Sequence, residues 1–321
     1  MSGVSVKVGG SSVTRAIQLL GDRWSILVIR DAFQGVRRFE QFLERSGASR
    51  ATLTRRLRAL VATGVLTRVR YNSAPPRWEY RLTPKGRDLF PLSMVAWDWE
   101  RRWAPRGAGI PMRVRHSACG HDMRAETACS HCGQVLSVRD VDARTRPGVA
   151  TRSVPRNTRS RRLSSLTGAS RRGTHESLTH IADIVGDPWT PLVLAAAFFG
   201  VRRYDDFQRE LGIASNVLAT RLELLVQRKV LKRSLYLRQP HRYEYRLTDK
   251  GRELFPYAIV LNAWGDRWLA TPSGPPFRFV HRPCGKEFVP VVRCSHCRAT
   301  LAPGAVAAAR SRLAAREGPR R

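Results

Sequence analysis

Ser49-Arg50-Ala51-Thr52-Leu53-Thr54-Arg55-Arg56-Leu57-Arg58-Ala59-Leu60-Val61 is the stretch on which the fold turns. Leu53, Leu57, Leu60 and Val61 recur at helical spacing and form one apolar stripe. Arg50, Thr54, Arg55 and Arg58 are left on the opposite face. Ser49 is placed to cap the first turn, and Gly64 closes the helix. A helix with a core-facing stripe and a basic outer face needs neighbours on one side and a polyanion on the other.

Upstream, Val13, Ala16, Ile17 and Leu20 mark a first helix that Gly21 ends. Asp22 can cap a second, Trp24 to Phe33, which is apolar nearly all round and therefore buried. Phe39, Phe42 and Leu43 give a short third helix stopped near Gly47. Downstream, Val65 to Tyr71 reads as a strand, and Trp78, Tyr80 and Leu82 alternate with Glu79 and Arg81 as its hairpin partner. The tip, Asn72 to Arg77, is too polar and proline-rich to continue either strand. Thr83-Pro84 sets an N-cap with proline at the first helical position, predicting one closing helix through Leu89, Val95, Trp99 and Trp103. A short helix, a tight turn, a basic-faced helix and a β-hairpin form the winged helix-turn-helix arrangement.

The chain states this pattern twice, at a lag of 165 residues. Gly21-Asp22 and Trp24 recur as Gly186-Asp187 and Trp189, Gly35-Val36-Arg37-Arg38 as Gly200-Val201-Arg202-Arg203, and Tyr80-Arg81-Leu82-Thr83 as Tyr245-Arg246-Leu247-Thr248. A lag this long is a duplicated domain, and 321 residues suit two of them. The expected class is mainly α with small β-hairpins (α+β). The expected order is a disordered tail (1–11), winged helix copy 1 (12–106), a zinc-ribbon-like extension (107–138), a basic disordered linker (139–173), winged helix copy 2 (174–271), a second ribbon (272–303) and a basic tail (304–321).

The runs Gly21-Asp22-Arg23-Trp24, Gly35-Val36-Arg37-Arg38-Phe39, Leu53-Thr54 with Arg56-Leu57 and Leu60, Gly64-Val65-Leu66, and Tyr80-Arg81-Leu82-Thr83-Pro84 with Gly86 resemble the HxlR-type winged-helix regulators of bacteria. The second copy matches at the same places, including Gly212-Ile213-Ala214-Ser215-Asn216-Val217-Leu218. The resemblance covers roughly 12–105 and 177–270. It implies a transcriptional repressor or activator that binds double-stranded DNA as a homodimer, often with a small-molecule effector. Many members carry a cysteine just before the first helix, some as a thiol sensor. Here Ser11 and Glu176 stand about there, which excludes a redox switch through that residue.

Composition points the same way. The formal charge is +32, with 57 Lys and Arg against 25 Asp and Glu, and only six of the basic residues are lysine. Arginine suits phosphate because its guanidinium is a permanently charged, forked donor. An arginine-rich genome explains the preference for Arg over Lys but not the excess of base over acid. A nucleic-acid partner is therefore expected ahead of a membrane surface. No run of 18 apolar residues exists and Met1 to Ser12 has no apolar signal core, so a cytoplasmic, nucleoid-associated location is expected.

The two reading helices differ where they would meet a groove. Arg50, Thr54, Arg55 and Arg58 correspond to Ser215, Ala219, Thr220 and Glu223, and Asn216 replaces Ala51. Arginine suits guanine or phosphate, and asparagine can pair bidentately with adenine. The expected DNA-contacting set is Ser49, Arg50, Thr54, Arg55, Arg58 and Arg77 in copy 1, with Ser215, Asn216, Thr220 and Arg242 in copy 2. Arg77 and Arg242 sit at the hairpin tips, where backbone phosphate is expected. Some of these side chains could equally be solvated helix charges. Arg56 and Arg221, kept in both copies beside the apolar stripe, suit either DNA or a structural ion pair.

All six cysteines follow the winged helices. Each copy reads His-x2-Cys-x9-Cys-x2-Cys: His116, Cys119, Cys129, Cys132, then His281, Cys284, Cys294, Cys297. This is small zinc-ribbon spacing of Cys3His type, so one structural zinc per copy is expected and no open catalytic position. His131 and His296 are the alternative fourth ligands, although a residue between two ligating cysteines tends to point away. No Gly-rich phosphate loop or nucleophile-base pair stands outside these clusters, so no enzyme is expected.

The Arg139 to Gly173 segment, rich in Arg, Ser, Thr, Pro and Gly, reads as a solvated tether. About 33 such residues span ~30 Å, close to the ~34 Å between half-sites one turn apart. Two fused copies on one operator, as an intrachain pseudo-dimer or within a homodimer, are the expected mode. The competing reading is a non-specific architectural nucleic-acid-binding protein.

Overall fold

The computed structural model describes residues 12–105, 113–146, 178–239, 241–272 and 274–308. Copy 1 runs α1 (Ser12–Leu20), α2 (Arg23–Phe33), α3 (Phe39–Ser46), α4 (Arg50–Ala62), β1 (Leu66–Ser73), β2 (Pro76–Leu82), α5 (Pro84–Arg87) and α6 (Phe90–Trp103). Its extension adds β3 (Val114–His116), β4 (Asp122–Met123), β5 (Ala125–Cys129) and β6 (Val141–Thr145). Copy 2 repeats the order as α7 (Thr179–Val185), α8 (Thr190–Phe198), α9 (Tyr204–Leu211), α10 (Ser215–Gln227), β7 (Leu231–Leu237), β8 (Arg242–Leu247), α11 (Asp249–Arg252) and α12 (Phe255–Trp268). Then follow β9 (Phe277–His281), β10 (Lys286–Glu287), β11 (Pro290–Cys294) and β12 (Val306–Ala308).

Local chemistry sets the helix ends. Asp22 accepts from the backbone N–H of Trp24 at 3.1 Å and of Ser25 at 3.3 Å, capping α2. Gly47 ends α3 in the left-handed region (φ 66°), where a side chain would be strained. Ser49 then caps α4 by accepting from Thr52 N–H at 3.2 Å. Leu53, Leu57 and Leu60 are fully buried with Phe42, each contributing roughly 1.5–3 kcal/mol of apolar burial. The wing is a β1–β2 hairpin, joined by a short bridge between Arg38 and Glu79.

Two expectations for the copy are corrected. The hairpin pairing continues past a β-bulge between Arg70 and Asn72 to the pair Ser73 and Pro76, because proline at the start of an edge strand forfeits no ladder hydrogen bond. The closing helix breaks into α5 and α6, since Pro91 near the start of α6 cannot donate back into the preceding turn. Copy 2 breaks identically at Pro256.

The copies pack into one pseudo-symmetric body. The first helix of each lies against the closing helix of the other: α1 along α12 and α7 against α6. Gly265 of α12 faces Ser12 of α1, where an added Cβ would stand 2.7 Å from the Ser12 carbonyl oxygen. The indoles of Trp103 and Trp268 donate across the interface to Glu253 (2.8 Å) and Asp88 (2.7 Å). Arg102 and Arg267 join the same two carboxylates at 2.8 and 3.2 Å.

The extensions are exchanged rather than separate. Strands β5 and β11 pair antiparallel with Thr127 opposite Val292, its own repeat equivalent, so the pseudo-twofold passes between them. Strand β6 of copy 1 pairs with β9 of copy 2, and β12 of copy 2 with β3 of copy 1. This corrects the boundaries drawn from composition. The expected linker is ordered through β6 to Arg146, and the expected tail supplies β12 before leaving the described residues. Residues 1–11, 147–177 and 309–321, including Ser11 and Glu176, lie outside the described residues. No single helix among the described residues is long and apolar enough to cross a membrane.

Candidate nucleic-acid interface and metal clusters

On α4, Arg55 and Arg58 are exposed and Thr54 is half-buried. Arg50 is also exposed and forms a bidentate pair with Glu40 of α3, at 2.9 and 2.8 Å. An exposed pair of this kind is worth at most ~1 kcal/mol, so a phosphate can displace it. The Ser49 hydroxyl is committed to capping. Arg56 behaves differently: its Nε lies 2.9 Å from Asp22, the α2 cap, and both side chains are largely shielded. Arg221 repeats this with Asp187 at 2.9 Å. Of the two readings of this conserved pair of positions, the geometry gives the structural ion pair, which ties each reading helix to the preceding core helix.

The second head turns its polar groups back on itself. The Tyr204 hydroxyl sits 2.7 Å from both the Ser215 hydroxyl and its carbonyl oxygen. Asn216 Oδ1 accepts from Val217 N–H at 2.9 Å, and Thr220 donates to the Asn216 carbonyl at 2.8 Å. Ala214 stands where Ser49 caps α4, and α10 has no side-chain cap. Glu223, opposite in sign to Arg58, is exposed. The α10 face therefore carries no arginine where α4 presents three.

Arg77 and Arg242 are exposed on the wings, opposite Asn72 and Leu237. Each wing also presents stacked cations: Arg68 over Trp78 at 4.0 Å and Arg233 over Tyr243 at 4.1 Å. Arg38 over Tyr71 (4.9 Å) and Arg203 over Tyr236 (4.7 Å) repeat the device on tyrosines nearer each hairpin tip. Stacking holds each guanidinium in place while leaving its N–H groups exposed to donate to an anion. Sequence reading missed these pairs, although the recurrence of arginine and aromatic residues at lag 165 was available as a signal.

The cysteines gather into two clusters, but not one per copy as expected. His116 and Cys119 of copy 1 meet Cys294 and Cys297 of copy 2, while Cys129 and Cys132 meet His281 and Cys284. Within each cluster all candidate ligand atoms lie within 4.8 Å of one another. The Cys119–Cys294 and Cys129–Cys284 sulfur separations are both 4.0 Å. Nδ1 of His281 is 3.2 Å from Cys132 Sγ, and Nδ1 of His116 is 3.3 Å from Cys297 Sγ. A tetrahedral zinc with ordinary Zn–S and Zn–N lengths places such atoms roughly 3.5–3.8 Å apart. The donor set and spacing therefore fit a borderline-soft divalent ion. The exchange follows from the strands: pairing β5 with β11 carries the second knuckle of each copy to the first knuckle of the other.

Both fourth-ligand candidates are placed. His116 and His281 are buried within the clusters. His131 and His296 are exposed, and their backbone N–H groups point at Cys129 and Cys294 sulfur at 3.4 Å. His296 instead stacks on His121 with ring centroids 3.6 Å apart. Burial raises the Cys129 and Cys294 thiols, whereas backbone N–H groups of Gln134 and Ala299 lower those of Cys132 and Cys297.

A helix-turn-helix whose second helix carries a basic face, followed by a hydrogen-bonded wing, defines a winged-helix DNA-binding fold. The chain belongs to the HxlR-like helix-turn-helix family, whose model matches residues 19–108 and 184–273. It is 44% identical over 148 residues to an uncharacterized HTH-type transcriptional regulator of Mycobacterium tuberculosis, covering 46% of this chain and 94% of the relative. A second such regulator, from Synechocystis, is 44% identical over 81 residues, covering 25% of this chain and 60% of its own length. Among solved structures, PA1607, a candidate transcription factor, is 35% identical with a TM-score of 0.37, covering 40% of this chain and 90% of its own. The chain is thus a member of a transcriptional-regulator family with a DNA-binding fold.

Proposed function

We propose that the chain is a sequence-specific transcriptional regulator that works as a covalent pseudo-dimer, its two heads meeting two half-sites of one operator in the bacterial nucleoid. The observation that carries this reading is the pairing of the copies through α1, α6, α7 and α12. That arrangement places one reading helix per copy in a single body, as a homodimer would. In this reading Arg55 and Arg58 contact base edges or phosphate, with Arg50, Thr54 and the Ser49 turn beside them. Ser215, Asn216 and Thr220 make weaker contacts in the second half-site, and Arg77 and Arg242 rest on backbone phosphate. Genome-wide mapping of bound sites, followed by gel-shift titration of the recovered site and a scrambled duplex at 50 and 200 mM salt, tests it. A preference of at least ~10³-fold for the recovered site is expected. Equal binding to both duplexes, with a steep salt slope, would instead establish the architectural reading that the +32 charge also suits.

Each Cys3His cluster is further read as a structural zinc site. Four protein donors leave no position open for substrate, so the role is to hold the fold and not to catalyse. Metal analysis of the purified chain should find two zinc ions, and well under one per chain refutes the assignment.

A further inference from the structure

The two cysteine-histidine clusters are not equivalent at their surfaces. Beside the first, His121 and His296 lie with their rings nearly parallel, 10° between planes and centroids 3.6 Å apart. His121 belongs to the turn before β4 in copy 1, and His296 to the turn after β11 in copy 2. Both are exposed, and one ligand atom from each lies within 4.8 Å of the other and of Cys119 Sγ. Beside the second cluster the repeat equivalents are Lys286 and His131, so a lysine replaces one imidazole there.

Nδ1 of His121 lies 2.7 Å from the Cys119 carbonyl oxygen and donates its proton to it, which leaves the Nε2 lone pair free. Metal-binding histidines are oriented in this way, by an acceptor on the other ring nitrogen. One tetrahedral ion holds two imidazole nitrogens roughly 3.4 Å apart, close to the 3.6 Å between the rings. Both side chains are exposed, so modest ring rotations aim them at one ion. The Cys119 thiolate keeps further lone pairs when it ligates a first ion, and its half-buried position at the cluster edge lets it bridge to a second.

We infer that His121, His296 and Cys119 form a third metal site, for an exchangeable divalent ion of the zinc, cobalt or nickel class. The inference rests on the reading of the two Cys3His clusters as zinc sites. Imidazole with thiolate suits these ions, whereas magnesium and calcium demand oxygen donors. Three protein donors leave one coordination position open to water, unlike the closed clusters, and exposure lets the ion leave readily. The ion joins a histidine of one copy to a histidine of the other, so its binding tightens the pair. Lys286 denies the second cluster a counterpart, because its ammonium repels a cation and offers no lone pair.

The test is equilibrium dialysis of the zinc-loaded full chain against cobalt(II), with both metals counted by elemental analysis. Cobalt binds such donors less tightly than zinc, so it fills the third site without displacing zinc from the clusters. Two zinc ions and one saturable cobalt per chain are expected, with a raised unfolding midpoint. His121→Ala and His296→Ala remove exposed side chains, so each should fold, keep two zinc ions and lose both the cobalt and the rise in midpoint. Lys286→His should add a second cobalt beside His131. Two zinc ions with no saturable cobalt, or cobalt retained in both alanine variants, would overturn this inference and leave the cluster reading standing. Well under one zinc per chain would overturn both.

Discussion

The indole N–H of Trp99 donates to the backbone carbonyl of Lys250 at 3.1 Å, and Trp264 donates to the carbonyl of Lys85 at the same distance. Each bond joins the closing helix of one copy to the short helix after the wing of the other. The ammonium groups of those lysines lie over the same indoles, at 5.4 and 5.7 Å. One tryptophan thereby fixes where the opposite wing begins, and the repeat makes the constraint reciprocal.

Replacing Trp99 with Phe removes the donor together with part of the buried ring. The Lys250 carbonyl then loses its partner in a shielded place, which costs about 1–3 kcal/mol. Urea unfolding should show a lower midpoint at unchanged slope, and Trp264→Phe should show a similar loss. A midpoint unmoved in both variants would contradict the role given to these bonds.

The reading helix contains neighbouring arginines with opposite expected phenotypes. Arg55→Ala should reduce affinity for the operator by about 1–3 kcal/mol and relax preference at one position, with stability nearly unchanged. Arg56→Ala strands Asp22 and should lower thermal stability instead. Gel-shift titration and calorimetry on the two variants distinguish them, and Thr220→Ala in the second head should change affinity less than Arg55→Ala.

Exchange of the metal clusters is testable by counting. Cys119→Ser with Cys297→Ser damages one cluster, so one zinc per chain should remain. Cys119→Ser with Cys129→Ser takes one ligand from each cluster and should remove or weaken both. Clusters confined to single copies predict the reverse loss: the first pair would damage two and the second only one. Chelation of the wild-type chain should lower the unfolding midpoint, since metal binding to the native state adds to its stability.

Glu100 is fully buried on α6 and accepts from Ile181 N–H at 2.8 Å and from Leu178 N–H, capping the start of α7. Burial pushes its carboxyl from 4.5 up to about 7, against the opposing pull of those backbone donors. The folded state then holds a proton that the unfolded chain releases, so this contribution to stability is present below about 4.5 and lost as pH rises towards about 7. His180, held down to about 4 chiefly by burial and secondarily by Lys250, titrates in the opposite sense. The comparison is therefore with Glu100→Gln: its stability relative to wild type should rise between pH 4.5 and 7. A difference independent of pH would show that Glu100 does not titrate there.

Much of each copy was legible in the sequence because its signals are local. The stripe Leu53, Leu57 and Leu60 repeats at the helical period, Asp22 and Ser49 lie one residue before the helices they cap, and Trp78, Tyr80 and Leu82 alternate as a strand must. The break between Arg87 and Phe90 was missed because Pro91 competes with an otherwise continuous apolar pattern. The wing tip was missed because an edge strand tolerates proline where an interior one does not.

The sequence by itself determined the winged-helix order, its duplication, the cationic first head and the cysteine and histidine donor types. Only the tertiary structure decided which donors share a cluster. His116 and Cys119 are followed by Cys129 and Cys132 at the same spacing in both repeats, so spacing cannot separate partners within a copy from partners between copies. The choice rests on β5 pairing with β11 across the pseudo-twofold, a long-range contact that no local period encodes.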